Sequence, residues 1–76
     1  MREFIEFIAR HLVDQPDNVV LEVETREEEV VLKLKVAQGD VEKIIGRKGR
    51  TAHVLRTLLV AVAAKEGKRA RLEVVD

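Results

Sequence analysis

The sequence predicts an α+β fold with the element order α-β-β-α-α-β, in which helices cover one face of a three-stranded mixed sheet. Segment 2–13 carries apolar residues at helical spacing, and a longer helix is predicted at 50–65. Three runs alternate apolar and charged residues as half-buried strands do, at 19–24, 30–36 and 69–75. A turn with two glycines separates a short helical stretch from the longer helix and completes the order.

Length and composition are those of one small domain, 1–76. The chain has 76 residues and contains neither Cys nor Ser, which excludes disulfides, a thiolate zinc site and a serine nucleophile. No apolar run is long enough for a signal peptide or a membrane span, so we expect a soluble cytoplasmic protein. We expect no metal, no cofactor and no small-molecule substrate. A domain of this size buries only about 60 % of its unfolded surface, so tight packing or a partner must supplement its core.

The first helix is amphipathic and ends before a turn. Its apolar side chains recur at helical spacing: Phe4, Ile5, Ile8 and Leu12. We expect Phe4 and Phe7 to anchor the core rather than to stack on bases. Segment 14–18 (DQPDN) stops the helix, because proline biases the residue before it away from helix and Asp and Asn favour turns.

The next two runs are predicted to form a hairpin. Their apolar positions are Val19, Leu21 and Val23 in the first run and Val30, Leu32, Leu34 and Val36 in the second. An antiparallel pairing would place Glu22 and Glu24 near Lys33 and Lys35 on a charged outer face. That face has no aromatic residues, which argues against the sheet of an RNA recognition motif.

The remaining elements return to the sheet by a crossover. Asp40 can cap a short helix at 41–45, the longer helix follows from Arg50, and Gly67 ends it. Because two helices separate the strand at 69–75 from the second strand, we expect these strands to be parallel, with a right-handed connection.

Gly46, Arg47, Lys48 and Gly49, hereafter the glycine loop, form the most informative segment. Glycine tolerates positive φ and close approach of another backbone, so the loop can bend while its two cations point outward. The helix that follows begins with free N–H groups and a positive dipole end, which favour anions. The spacing fits neither a Walker A loop nor a dinucleotide fingerprint. The spacing of the two glycines, taken by itself, also fits a plain turn between two helices.

Charge is distributed unevenly along a chain whose formal net charge is +0. Segment 14–29 is acidic apart from Arg26. Segment 43–56 contains basic residues and no acid: Lys43, Arg47, Lys48, Arg50 and Arg56. A basic patch can therefore exist on a neutral protein.

Three segments resemble the small single-domain bacterial KH RNA-binding proteins of the KhpA type, which have a type II KH domain. They are 12–17 (LVDQPD), 44–51 (IIGRKGRT) and 55–59 (LRTLL), and the resemblance covers essentially the whole chain. It implies a protein that binds single-stranded RNA and dimerises, either with itself or with the larger Jag-type KH protein. It also implies a role as an RNA chaperone or post-transcriptional regulator linked to cell elongation and shape.

The resemblance implies that RNA contacts the glycine loop, since the KH loop clamps about four nucleotides. The implied contacts are Ile45, Gly46, Arg47, Lys48, Gly49 and Arg50, with Lys43, Ile44 and His53 as secondary contacts. Cations here would position phosphates without reading sequence. Of the two isoleucines, we expect one to be buried and the other to border the base groove. The acidic run 27–29 and Glu42 are expected near this groove, where they would repel phosphate.

The helix at 50–65 is apolar nearly all round, and such a helix must be covered on more than one side. We expect a partner, most plausibly an identical subunit, to cover Val54, Leu58, Val60, Ala61 and Ala64. The alternative is that its small side chains are simply exposed.

Two other functions stay open at the level of sequence. Two helices joined by a four-residue turn also fit a helix-turn-helix DNA binder. A third possibility is an assembly module whose partner supplies the function. Catalysis is not expected, because no nucleophile and no paired carboxylates in an evident pocket are found in the sequence.

Overall fold

The computed structural model describes residues 2–75 and has the predicted element order. The helices and strands are α1 (Arg2–Leu12), β1 (Val20–Thr25), β2 (Glu29–Lys35), α2 (Val41–Ile45), α3 (Arg50–Lys65) and β3 (Arg69–Val75). Short 3₁₀ turns lie at Pro16–Asn18, Gln38–Asp40 and Arg47–Gly49. The α+β class and the order α-β-β-α-α-β are therefore confirmed.

The three strands form one mixed sheet in the order β1-β2-β3. Strands β1 and β2 are antiparallel, with Glu22 opposite Lys33, whereas β2 and β3 are parallel, with Leu32 opposite Leu72. The link between β2 and β3 contains both α2 and α3, which is why these two strands run in the same direction. The predicted mixed sheet is confirmed.

The core lies between one face of the sheet and all three helices. On the sheet, alternate residues of β2 point inward, and Leu32 and Leu34 are fully buried. From the helices come Ile5 of α1, Ile44 of α2, and a stripe of α3. That stripe consists of Ala52, Leu55, Leu59 and Ala63, which recur about once per turn. Each helix therefore contributes one apolar stripe to the same core.

The opposite face of the sheet is mostly charged, and Val20, Val31 and Val75 are its apolar residues. Lys33 pairs with Glu24 at 3.6 Å, diagonally across the hairpin, since the register places Lys33 opposite Glu22. Val31 lies on this face but is only 1 % exposed. Its partners on the two flanking strands are Glu24 and Arg71, and long side chains of this kind can cover a residue of the central strand with their aliphatic stems. Strict alternation in β2 did not predict this burial.

The expectation that Phe4 and Phe7 anchor the core was wrong. Phe4 is 45 % and Phe7 is 60 % exposed. A helix turns about 100° per residue, so placing Ile5 and Ala9 against the sheet rotates both phenylalanines away from it. Phe7 instead packs on His11, with ring centroids 4.3 Å apart.

No helix among residues 2–75 combines the length and the apolar character needed to cross a membrane.

Paired substitutions in α1 test which of its faces supports the fold. Ile5→Ala should lower the free energy of unfolding by about 2–5 kcal/mol, because it leaves a cavity in the core. Phe7→Ala should lower it by about 1 kcal/mol or less, since most of that ring is in water. Urea denaturation followed by circular dichroism, at one protein concentration, measures both. Equal losses would contradict the assignment of these faces.

Candidate nucleic-acid interface

The glycine loop is bent by positive φ angles at three of its four residues. Gly46 has φ 77° and ψ 175°, Lys48 has φ 57°, and Gly49 has φ 75°. Among residues 2–75, Lys48 is the non-glycine residue with positive φ. Such a conformation costs an L residue about 1–2 kcal/mol, so the surrounding structure must enforce it. Lys48 is exposed and lies at the tip of the bend.

The two glycines are required for different reasons. A Cβ built on Gly46 would lie 2.2 Å from Oγ1 and 2.9 Å from the backbone nitrogen of Thr51. The first turn of α3 therefore packs directly on the backbone at Gly46. A Cβ on Gly49 would meet nothing within 4 Å, so only its positive φ favours glycine there.

Two amides of the loop are free to bind a ligand. The N–H of Gly46 donates to the carbonyl of Glu42 at 2.8 Å, and that of Gly49 donates to the carbonyl of Gly46 at 3.1 Å. The N–H of Arg50 donates to the carbonyl of Arg47. Within residues 2–75, the amides of Arg47 and Lys48 have no such acceptor. Within the glycine loop, the free amides are therefore those of Arg47 and Lys48, and both residues also carry a positive side chain.

The loop lines an open depression of about 520 Å³. Its lining residues are Glu42, Ile45, Gly46, Arg47, Lys48 and Gly49. Ile45 is 38 % exposed, whereas Ile44 is fully buried in the core. Ile44 is therefore corrected from a secondary contact to a core residue, because successive helical positions point in directions about 100° apart. Glu42 lies in the depression itself, as expected from its place beside the loop.

The remaining predicted cations differ in what they contact. Arg47, Lys48 and Arg50 are exposed and make no ion pair among the described residues. His53 is also exposed, one turn into α3. Arg56, by contrast, points toward β3, where its Nε donates to the carbonyl of Leu72 at 3.4 Å.

Lys43 is already paired with carboxylates. Its ammonium group donates to Asp14 and to Oδ1 of Asp40, the latter at 3.4 Å. The hydrogen bond to Asp14 is the main cause that raises the pKa of Lys43 above its usual value. Sequence reasoning missed this because Asp14 is distant in sequence and reaches Lys43 only through the fold.

Asp40 does not cap α2, contrary to expectation. It precedes α2 but makes no side-chain capping bond. Its carboxylate instead accepts hydrogen bonds from the N–H groups of Asp14, at 3.2 Å, and Gln15, at 3.0 Å. Burial alone would raise the pKa of Asp40, but these two bonds and Lys43 outweigh it and lower the pKa below its usual value. The carboxylate of Asp40 therefore links the connection after α1 to the segment before α2 and does not cap α2.

The acidic run 27–29 lies at the tip of the β1–β2 hairpin and lines a depression of its own. That depression, of about 350 Å³, is bordered by Arg26, Glu27, Glu28, Glu29 and Arg69 and shares no lining residue with the depression at the glycine loop. Arg26 pairs there with Glu24 at 3.0 Å and with Glu29 at 3.9 Å. Part of the acidic charge is thus compensated locally.

The predicted interface residues of α3 all face solvent. Val54 is 54 %, Val60 is 51 % and Leu58 is 41 % exposed, and Ala61 and Ala64 are exposed as well. They lie on the sides of α3 that do not belong to its buried stripe. Among residues 2–75, no group of His, Asp and Glu side chains is arranged to hold a metal ion.

The different roles of the two glycines predict different costs for the same substitution. Gly46→Ala should lower the free energy of unfolding by about 3 kcal/mol or more, because backbone strain adds to the clash with Thr51. Gly49→Ala should cost only about 1 kcal/mol, since a methyl group fits there and only φ is unfavourable. Thermal unfolding of both variants is the measurement, and a Gly49→Ala loss as large as that of Gly46→Ala would contradict the packing described.

Three known proteins similar to this chain have nearly the same length as the chain. RNA-binding protein KhpA of Borreliella burgdorferi is 53 % identical over 74 residues, which are 97 % of this chain and 90 % of the relative. RNA-binding protein KhpA of Clostridium acetobutylicum is 44 % identical over 99 % of this chain and 100 % of the relative. That of Listeria monocytogenes is 40 % identical over the full length of both. No solved structure matches the chain.

The family comparison agrees with these relatives. Residues 2–74 match the family described as KhpA/KhpB, KH domain. The three-stranded mixed sheet and the α-β-β-α-α-β order are those of a type II KH fold. These KH domains are RNA-binding modules and not enzymes. The chain therefore belongs to the KhpA/KhpB family of KH domains.

Proposed function

We propose that the chain is a single KH domain, residues 1–76, that binds single-stranded RNA without catalysis and with little sequence preference. The observation that carries this proposal is the glycine loop, which offers two free amides and adjacent unpaired cations on one exposed bend. Relatives that are named RNA-binding proteins and extend over nearly the same length support the choice of RNA.

In the proposed complex, the loop holds the sugar-phosphate backbone. The free N–H groups of Arg47 and Lys48 donate to phosphate oxygens, and their side chains and Arg50 neutralise the charge. Gly46 and Gly49 allow the strand to approach closely, because neither carries a side chain on the bend. Contacts of this kind fix the register of a strand but do not distinguish one base from another.

The bases have only an aliphatic surface to lie on. Ile45 is the apolar side chain in the depression, and neither phenylalanine lines it. Without aromatic stacking, which contributes about 1–3 kcal/mol per base, affinity should be modest. It should also depend strongly on salt, because phosphate neutralisation supplies most of the free energy. His53 is a secondary contact in this proposal.

The cellular role follows from the resemblance to the KhpA type. We propose that the protein acts in the cytoplasm, where its RNA partner is, as an RNA chaperone or post-transcriptional regulator. A link to cell elongation and shape belongs to the same proposal. A helix-turn-helix DNA reader is poorly supported, because α2 has only 5 residues and the open sides of α3 are apolar.

Removing the two loop charges is the direct test. Arg47→Gln with Lys48→Gln should keep the fold, weaken binding of a single-stranded oligoribonucleotide, and reduce the salt slope of log K by about 1.4, or about 0.7 per lost phosphate contact. Fluorescence anisotropy at several salt concentrations measures both quantities. Lys65→Gln with Lys68→Gln removes the same charge at the far end of α3 and should leave the slope unchanged.

The same titrations separate the competing functions. Wild-type affinity in the Arg47 and Lys48 double variant would remove the loop from the mechanism. A preference of the wild type for duplex DNA over single-stranded RNA would favour the hypothesis of a helix-turn-helix DNA binder. No binding to RNA or DNA at low salt would favour an assembly module.

We further propose that the exposed apolar sides of α3 bind a second subunit. Val54, Leu58, Val60, Ala61 and Ala64 support this proposal, since a small domain gains stability when such a surface is covered. The partner is an identical chain or the larger Jag-type KH protein. Two glycine loops in one particle would raise the avidity for longer RNA.

A charge placed on this surface tests the association. Val60→Asp should convert a dimer into a monomer, because a carboxylate buried at the interface would lack a partner. Val20→Asp is the matched control, since Val20 is exposed to a similar degree, 48 % against 51 %, but lies on β1. Light scattering at micromolar concentration gives the mass of each. An unchanged dimer in Val60→Asp would contradict the proposed interface, whereas a wild-type monomer would exclude an identical chain as the partner.

A further inference from the structure

Asp40 is the charged side chain that the fold buries among residues 2–75, with 2 % of its surface exposed. A buried carboxylate is stable only if its oxygens are hydrogen-bonded or paired. Here both requirements are met by Asp14, Gln15 and Lys43. We call the side chains of Asp14, Asp40 and Lys43, with the backbone amides of Asp14 and Gln15, the Asp40 cluster.

The Asp40 cluster joins two segments that are far apart in sequence. The amides of Asp14 and Gln15 lie in the connection after α1, whereas Asp40 directly precedes α2 and Lys43 lies within it. Helix α2 has 5 residues, too few to be stable on its own. It is held by the burial of Ile44 and by this cluster. Its last residue is followed directly by Gly46, so the position of α2 sets the position of the glycine loop.

The Asp40 cluster is also not a place where phosphate would bind. Two carboxylates and one ammonium group give it a net charge of about −1 at neutral pH. Lys43 donates two of its three N–H groups to these carboxylates, so its charge is already compensated. A phosphate at the remaining N–H would lie close to two carboxylates and would gain little, because their repulsion opposes the attraction of the single ammonium group.

We propose that Asp40 and Lys43 are positioning residues that hold α2 and the glycine loop in the RNA-binding geometry, and that Lys43 does not itself neutralise phosphate. This inference rests on the RNA-binding function proposed above. It replaces the role of secondary RNA contact that the sequence suggested for Lys43. It also explains why an aspartate that caps no helix is buried directly before α2.

The test compares Asp40→Asn and Lys43→Gln with Lys48→Gln, which removes a proposed phosphate contact. The first measurement needs no RNA: NMR of the uniformly ¹⁵N-labelled protein gives the amide exchange rates of Asp14 and Gln15 and the chemical shifts of the glycine loop. Asp40→Asn should accelerate exchange of one or both amides about tenfold or more, because an amide side chain cannot accept both bonds as the carboxylate does. It should also shift the loop resonances. Lys48→Gln should leave the exchange of Asp14 and Gln15 unchanged.

The second measurement is the salt dependence of binding to a single-stranded oligoribonucleotide. If only about one fifth of the molecules keep the binding geometry, the affinity of Asp40→Asn should fall about fivefold with an unchanged salt slope. Lys43→Gln should act in the same direction, also with an unchanged slope. Lys48→Gln should lower the slope by about 0.7.

The outcomes separate this inference from the proposed function. A Lys43→Gln variant with a reduced salt slope and normal amide exchange would show that Lys43 contacts phosphate and would overturn the inference. Faster exchange with wild-type loop shifts and wild-type affinity would also overturn it, because the cluster would then be structural only. Failure of the wild type to bind RNA would refute the proposed function, while the loop shifts would still report whether Asp40 positions the loop. If Asp40→Asn does not fold, Lys43→Gln, which alters an exposed side chain, decides the question.

Discussion

Burial of Ile44 immediately before the bend is the contact on which the candidate site depends. Ile44 is fully buried, and two residues later the backbone at Gly46 is in contact with Thr51 of α3. Ala52, the next residue, is again in the core. The glycine loop is thus fixed at both ends by packing and does not need hydrogen bonds to all of its own amides to keep its shape. A loop held in this way is preorganised and loses little entropy when it binds a ligand.

The distribution of ion pairs explains how a neutral protein can present an anion site. On the outer face of the sheet, opposite charges pair with one another, as Glu24 does with Lys33 and Arg71 with Glu73. The hydrogen bond from Arg26 is the main cause that lowers the pKa of Glu24 there. The cations of the glycine loop form no such ion pair among the described residues, although Glu42 lines the same depression. The net charge of the chain therefore does not predict the electrostatic potential at this surface, whereas the local pattern of ion pairs does.

The sequence predicted the elements well because each depends on local periodicity and turn chemistry. Strand alternation, the stop at Pro16 and the glycine end of α3 all act within a few residues. The predictions that were wrong depended on how a helix is rotated about its axis and on contacts between residues that are distant in sequence. Phe4 and Phe7 fit an apolar helical pattern, but only the sheet decides which of two overlapping stripes is buried. The roles of Asp40 and Lys43 could not be foreseen, since Asp14 is remote in sequence and is brought to them by the fold.

The pKa of Asp40 is lowered and that of Lys43 is raised, so these two groups of the Asp40 cluster stay charged over a wide range of pH. The pKa of Asp40 is lowered, so its contribution to stability is present above the ordinary carboxylate pKa and is lost only as the pH falls through the lower, folded value. The pKa of Lys43 is raised, so its contribution is present below the ordinary ammonium pKa and is lost only as the pH rises through the higher, folded value. Both groups therefore keep their charges throughout the neutral range. Any control of RNA release near neutral pH must act on the phosphate contacts themselves, through salt or a competing ligand, and not through protonation of the groups that hold α2 in place.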